Sequence, residues 1–245
     1  MDNRKKRVLV VAHPDDEVLW FSSIASQVDK VIMCFLGGSG FTCQRKLAIR
    51  NHPLGAIVSL GLRQSGAFVQ ADWKSPIETD VGIDIVHNDR VRKRYTENFH
   101  ALVKLLSPEL RDCEEVFTHN PWGEYGHEEH IQIYRAVRTL QDAFGFDLWV
   151  DNYCGCRSIT LLQEYLFGQY ARYETHRIDS LFTEKLKKVY LQHGAWTWQE
   201  NYEWFNEESF LLNLSKDSFQ GNSGHLCPIN LLRVVPKEQK QCTMP

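Results

Sequence analysis

The chain has 245 residues, with 28 Lys and Arg against 31 Asp and Glu and a formal net charge of -3. That length can fill one large core, and the near balance of charge excludes a general attraction to nucleic acid or to an anionic membrane. No stretch approaches the roughly 20 apolar residues of a membrane span. The basic start Arg4-Lys5-Lys6-Arg7 leads into an apolar run too short for a signal peptide. With seven cysteines, an odd number, scattered over core-like and loop positions, reduced thiols and a cytoplasmic location are expected.

In chain order, Arg7 to Ala12 is a short continuous apolar run after a basic tip, the pattern of a buried parallel strand. Asp15 or Asp16 can cap a helix running through Val18, Leu19, Phe21, Ser22 and Ile24. A second strand is expected over 28–36, ended by Gly37-Gly38, then a helix over 45–60 kinked at Pro53, and a short third strand at 67–69. A helix over 92–106 stops near Pro108, and Val116-Phe117 ends another strand. From His127 a helix continues through Ile131, Ile133, Tyr134, Val137 and Leu140. A strand is expected over 147–152, and a helical region over 175–193 with Lys185, Lys187 and Lys188 on its wet face. The aromatics Trp196, Trp198, Tyr202, Trp204 and Phe205 either wall a ligand pocket or pack as core and lid. The tail after Pro236 is polar and expected to be loosely ordered. This alternation predicts an α/β domain with a mostly parallel sheet covered by helices, undivided over residues 1–245.

Two polar clusters interrupt this pattern. His13-Pro14-Asp15-Asp16-Glu17 falls just past the carboxyl end of the first strand, where open α/β sheets place ligands. Pro14 makes a rigid exit there. His127-Glu128-Glu129-His130 puts two imidazoles three residues apart, on one face of a helix. Glu129 can orient one of them through its free N–H. Two imidazoles and one carboxylate from these clusters can hold a zinc ion and leave room for water. A neighbouring carboxylate can then take a proton from that water. The pair Cys154-Gly155-Cys156 is weak evidence for a metal.

Ala12-His13-Pro14-Asp15-Asp16-Glu17 together with Tyr125-Gly126-His127-Glu128-Glu129-His130 resembles the PIG-L/LmbE family of zinc-dependent N-acetyl-sugar deacetylases. The resemblance implies a Rossmann-like α/β sandwich with helices on both faces. It also implies removal of acetyl from an N-acetylglucosamine-type group on a larger conjugate, the expected partner molecule. By the family pattern His13, Asp16 and His130 are zinc ligands, Asp15 is the general base, His127 assists the oxyanion and leaving group, and Tyr125 polarises the carbonyl. Arg63 lies in the region where relatives hold substrate with an arginine, though the reading as an ordinary surface arginine is the stronger of the two. Leu19-Trp20-Phe21-Ser22 is bulkier than the family pattern, and the helix after the glycine-rich loop 36–40 lacks the customary Glu. Glu129 stands where an Asp is customary, and is expected to pair with His127 and favour its protonated form. Whether Asp15 or His127 protonates the leaving amine stays open, as does homo-oligomer formation. The competing readings are a zinc hydrolase of another amide or ester, and a carbohydrate-binding protein with a degenerate site.

Overall fold

Alternate residues of the first apolar run serve opposite sides of one sheet. In the computed structural model, β1 (Arg7–Val11) sends Val8 and Val10 into one core cluster and Leu9 and Val11 into another. A strand buried on both faces has no need of polar alternation, which is why the run reads as continuous. The structure describes residues 6–38, 40–166, 172–213 and 227–233.

After β1 come α1 (Asp16–Leu19), β2 (Lys30–Gly37), α2 (Thr42–Arg50), β3 (Ile57–Arg63), the small hairpin β4 (Glu78–Thr79) and β5 (Gly82–Ile83), and α3 (Asp89–Leu110). The second half contains β6 (Glu115–Thr118), α4 (Glu128–Phe144), β7 (Asp147–Asp151), β8 (Tyr153–Gly155), α5 (Ile159–Leu166), β9 (Tyr173–Arg177), α6 (Ser180–Gln192), β10 (Glu207–Leu212) and β11 (Asn230–Leu232). The main sheet has the order β3-β2-β1-β6-β7-β10-β9. Its first five strands are parallel, and β10 runs antiparallel to both β7 and β9. Residues of α3, α4 and α5 pack in the cluster with Val8 and Val10, while residues of α1, α2 and α6 cover the other face. The chain therefore winds outward from β1 to β3 and returns to the other side of β1. The crevice at this reversal, beyond the carboxyl ends of β1 and β6, is where such sheets bind ligands. No helix among the described residues is long and apolar enough to cross a membrane.

Several elements differ from the sequence expectation. The helix expected over 45–60 ends at Arg50, and Ile57–Arg63 is the third strand. Pro53 removes a donor and restricts His52, and the β-branched Ile57-Val58 favours extension beyond it. The strand expected at 67–69 is a loop with Val69 at φ 58. The buried Glu128 carboxylate dictates it, accepting from Val69 N at 3.2 Å, Gln70 N at 3.0 Å, Ala71 N at 3.1 Å and Trp73 Nε1 at 3.0 Å. Helix α1 has four residues, not a run to Ile24. In the 175–193 region the chain first adds β9 to the sheet; Asp179 then caps α6 by accepting from Leu181 N and Phe182 N, both at 3.1 Å. Lys187 is not on a wet face: it is buried, with Nζ 5.2 Å from the Trp204 ring centroid and 5.8 Å from that of Trp196. Cys154 and Cys156 are free thiols, one buried and one exposed. The tail after Pro236 lies outside the described residues.

Candidate active site

The turn after β1 is built around its own acids. Asp15 adopts φ 102, a conformation rarely taken by residues other than glycine and costing about 1–3 kcal/mol. Its carbonyl accepts from Val18 N and Leu19 N, and its N–H donates to Glu17 Oε2 at 3.2 Å. Glu17 is itself fixed from below, its Oε1 lying 2.7 Å from Tyr190 Oη and 3.1 Å from His52 Nε2. The same turn points Asp16 back, so that Oδ2 accepts from His13 N at 2.6 Å.

His13, Asp16 and His130 converge. His13 Nδ1 lies 3.3 Å from Asp16 Oδ2, His130 Nε2 lies 3.3 Å from His13 Nδ1, and His130 Nε2 lies 3.5 Å from Asp16 Oδ2. Ligands about 2.0–2.1 Å from a tetrahedral zinc are separated by about 3.3 Å, so this triangle fits one face of such a site. The far nitrogen of each imidazole is held by a carboxylate. His13 Nε2 is 3.0 Å from Glu129 Oε2, and His130 Nδ1 bonds Glu124 Oε2. These partners turn the lone pairs of His13 Nδ1 and His130 Nε2 inward, the arrangement that supports a metal. Charge agrees with geometry. Burial alone would lower the pKa of His13, yet Asp16 and Glu129 raise it above its ordinary value. Burial would raise Asp16, but His130 and His13 hold it well below the ordinary carboxylate range.

Glu129 corrects the sequence expectation. Its carboxylate turns away from His127: Oε2 meets His13, and Oε1 accepts from Ser65 N at 2.6 Å and Ser65 Oγ at 2.7 Å. The extra methylene relative to Asp carries the charge across to the other imidazole. His127 is the N-cap of α4 rather than a residue on its face, and its Nδ1 accepts from the Glu129 backbone N–H at 3.2 Å. An N–H can only donate, so the ring proton sits on Nε2. Burial, then His130 and His13, hold the His127 pKa well below its ordinary value. The expected protonated His127 is replaced by a neutral ring with an N–H to offer. Phe68 stacks on it at 4.9 Å.

Tyr125 sets its ring edge-on at 5.9 Å to both His127 and His130. Burial, then Asp16 and Glu124, raise its pKa well above the ordinary value, which keeps the phenol a donor. Asp15 is 1% exposed. Burial pushes its pKa up to about 7, against the opposing charge of Arg45. Arg63 ends β3 exposed, lining a 380 Å³ groove with Gly37, Gly38 and Lys46. Among the described residues, no hydrogen bond or ion pair joins it to the imidazole cluster.

Three functional side chains escaped the sequence reading. Glu124 bonds two imidazoles at once, with Oε1 3.0 Å from His119 Nδ1 and Oε2 on His130. His119 Nε2 in turn accepts from Ala12 N at 2.8 Å, tying the end of β6 to the end of β1. The tight turn before Glu124 needs Gly123, at φ 66, because a Cβ there would lie 2.5 Å from His127 O. Arg45 of α2 is buried, and its Nε has no hydrogen-bond partner among the described residues. The available signals were a His at a second strand end and an Arg shortly after a glycine-rich loop. Replacing Glu124 by Gln is expected to weaken metal affinity about 10- to 100-fold, because His130 loses its carboxylate partner. Competition titration with a chromogenic chelator measures it, and unchanged affinity would remove Glu124 from the metal-supporting set.

No family model matches the chain. Over 141 residues, 56% of the chain, it is 26% identical to the N-acetylglucosaminyl-phosphatidylinositol de-N-acetylase of Bos taurus, and the match covers 50% of that protein. The chain thus spans about half the length of the curated relative it matches. The zinc-inhibited form of teicoplanin deacetylase superposes with a TM-score of 0.52 at 14% identity, over 87% of this chain and 100% of that one. An antimicrobial pseudoaglycone deacetylase gives 0.51 at 13% identity, over 90% and 100%. The fold is that of these deacetylases. In this deacetylase fold the His13, Asp16 and His130 triangle occupies the crevice where the strand order reverses.

Proposed function

We propose that the chain is a zinc-dependent hydrolase that removes acetyl from an N-acetylamino-sugar conjugate, giving acetate and a free amine. One observation carries the reading. Two buried imidazoles and a carboxylate close a 3.3–3.5 Å triangle, and each imidazole is braced by a carboxylate behind it. An N,N,O donor set is one zinc accepts while keeping a position open. The likeness to a de-N-acetylase supports the choice of amide and sugar.

Bound zinc supplies Lewis acidity to the carbonyl and a more acidic water. Asp15, adjacent to the ligand Asp16 and with its pKa near neutrality, accepts a proton as the water oxygen forms its bond to the acetyl carbon. The Nε2–H of neutral His127 and the phenol of Tyr125 donate to the carbonyl oxygen as negative charge develops there. The C–N bond then breaks, and the proton held by Asp15 passes to the departing nitrogen. A neutral His127 makes Asp15 the proton carrier in both directions. Arg45 sustains the ionised form of Asp15 beforehand.

The test is to load the full chain with one equivalent of zinc and incubate it with N-acetylated sugar conjugates differing in aglycone, following acetate and free amine together. One equivalent is the right dose, since a deacetylase of this fold is known in a zinc-inhibited form. Equal yields of acetate and amine, lost on chelation, support the reading. Amine release from non-sugar amides with no turnover of any sugar conjugate would overturn the substrate class.

A further inference from the structure

The turn at Asp15 is held by a segment distant in sequence. Thr197 Oγ1 donates to Asp15 Oδ2 at 2.6 Å, and Thr197 N donates to the same oxygen at 3.2 Å. Oδ1 accepts no hydrogen bond among the described residues. The two neighbours of Thr197 are both anchored. Trp198 packs edge-on against Trp20 and Tyr125, each at 5.2 Å, and the Trp196 indole N–H donates to Gln199 O at 3.1 Å. Ala195, just before them, is fully buried and ties its N–H to Tyr190 O at 2.8 Å. Tyr190 is the residue whose hydroxyl meets Glu17, and Glu17 accepts the Asp15 backbone N–H. The backbone and the carboxylate of Asp15 are thus fixed through α6 and the loop that follows it. Thr197 itself is exposed, so this donor stands at the mouth of the site.

We propose that Thr197 is a positioning residue for the base: its hydroxyl and backbone N–H hold Asp15 Oδ2 and leave Oδ1 as the oxygen that takes the proton from water. This rests on Asp15 being the general base. The chemistry is asymmetric by design. A carboxylate oxygen with two donors is a poorer acceptor than its free twin, and a fixed carboxyl plane presents the free oxygen in one direction. The proton moves from water to Oδ1, then from Oδ1 to the amide nitrogen as the C–N bond breaks, with Thr197 keeping its own proton throughout.

The experiment compares Thr197→Val, which keeps the shape and the backbone N–H but loses the hydroxyl, with Thr197→Ser, which restores it. Both are made in the zinc-loaded full chain and assayed on octyl N-acetylglucosaminide, with Asp15→Asn in parallel. Thr197→Val is expected to lower kcat about 10- to 100-fold, the effect of a hydrogen bond to a charged group, while leaving KM and zinc content unchanged. Thr197→Ser is expected to recover most of kcat. Parent-like kcat in Thr197→Val beside an inactive Asp15→Asn overturns the positioning role and leaves the base standing. Parent-like kcat in Asp15→Asn overturns the base itself. Amide hydrogen exchange over 195–199 reads the contact with no turnover required. Asp15→Ala is expected to speed exchange there, with unchanged melting temperature confirming an intact fold. Unchanged exchange overturns the proposal even if the substrate class is wrong.

Discussion

Asp15→Asn is expected to keep its zinc and lose turnover by about 10²- to 10⁴-fold, the range of a positioned proton acceptor. The amide fills nearly the same volume and can still accept from Thr197 through its oxygen, so the loop at 195–199 stays seated. What disappears is a group that can carry a proton from water to nitrogen. The structure gives Asp15 features that suit this work: burial that pushes its pKa up to about 7, an opposing arginine, and a backbone conformation maintained at a cost. A base near neutrality both accepts and returns a proton readily. Metal content by mass spectrometry and single-turnover amine release separate the two quantities. Substantial loss of zinc in Asp15→Asn would mean that Asp15 belongs to the ligand set instead.

His130→Ala is expected to abolish stoichiometric zinc binding, a larger loss than the about 10- to 100-fold cost of removing a supporting partner. His127→Ala is expected to keep the metal and lose rate. The contrast matters because His13, His127 and His130 also bring ligand atoms within 4.8 Å of one another. The two sets share His13 and His130 and differ in Asp16 against His127. His127 Nδ1 accepts from a backbone N–H, and among the described residues no carboxylate braces that ring, whereas Asp16 Oδ2 lies 3.3 Å from His13 Nδ1 and 3.5 Å from His130 Nε2. Zinc loss in His127→Ala with retention in Asp16→Ala would reverse the assignment.

Much of this was legible in the sequence where the chemistry is local. The strand run ending in His13 and the Asp15-Asp16 turn are contiguous, so their place at the sheet edge follows from pattern alone. The spacing of His127 and His130 was readable too, but spacing treats them alike; their division of labour came only from the family resemblance, and in the fold His127 caps the helix while His130 sits on it. The partner of Glu129 was misread because sequence proximity favoured His127, while the fold brings His13 within 3.0 Å from 116 residues away. Thr197 meets Asp15 across 182 residues and His119 meets Ala12 across 107, beyond the reach of spacing, whereas Glu124 lies only five and six residues from the imidazoles it braces. A carboxylate behind an imidazole leaves no trace in spacing when turn geometry, here set by Gly123, decides where it points. The helix expected over 45–60 failed differently: apolar periodicity ran across His52-Pro53-Leu54-Gly55, and the breaker should have outweighed it. Lys187 shows the limit of charge as a guide to exposure, because two indole faces accept the ammonium.

The most direct test of the metal centre is anomalous scattering at the zinc edge from crystals of the full chain loaded with one equivalent of zinc. A single peak is predicted, about 2.0–2.2 Å from His13 Nδ1, Asp16 Oδ2 and His130 Nε2, with an open side beside Asp15. A peak seated instead among His119, Glu124 and Asp151, or coordinated by His127 in place of Asp16, would contradict the account.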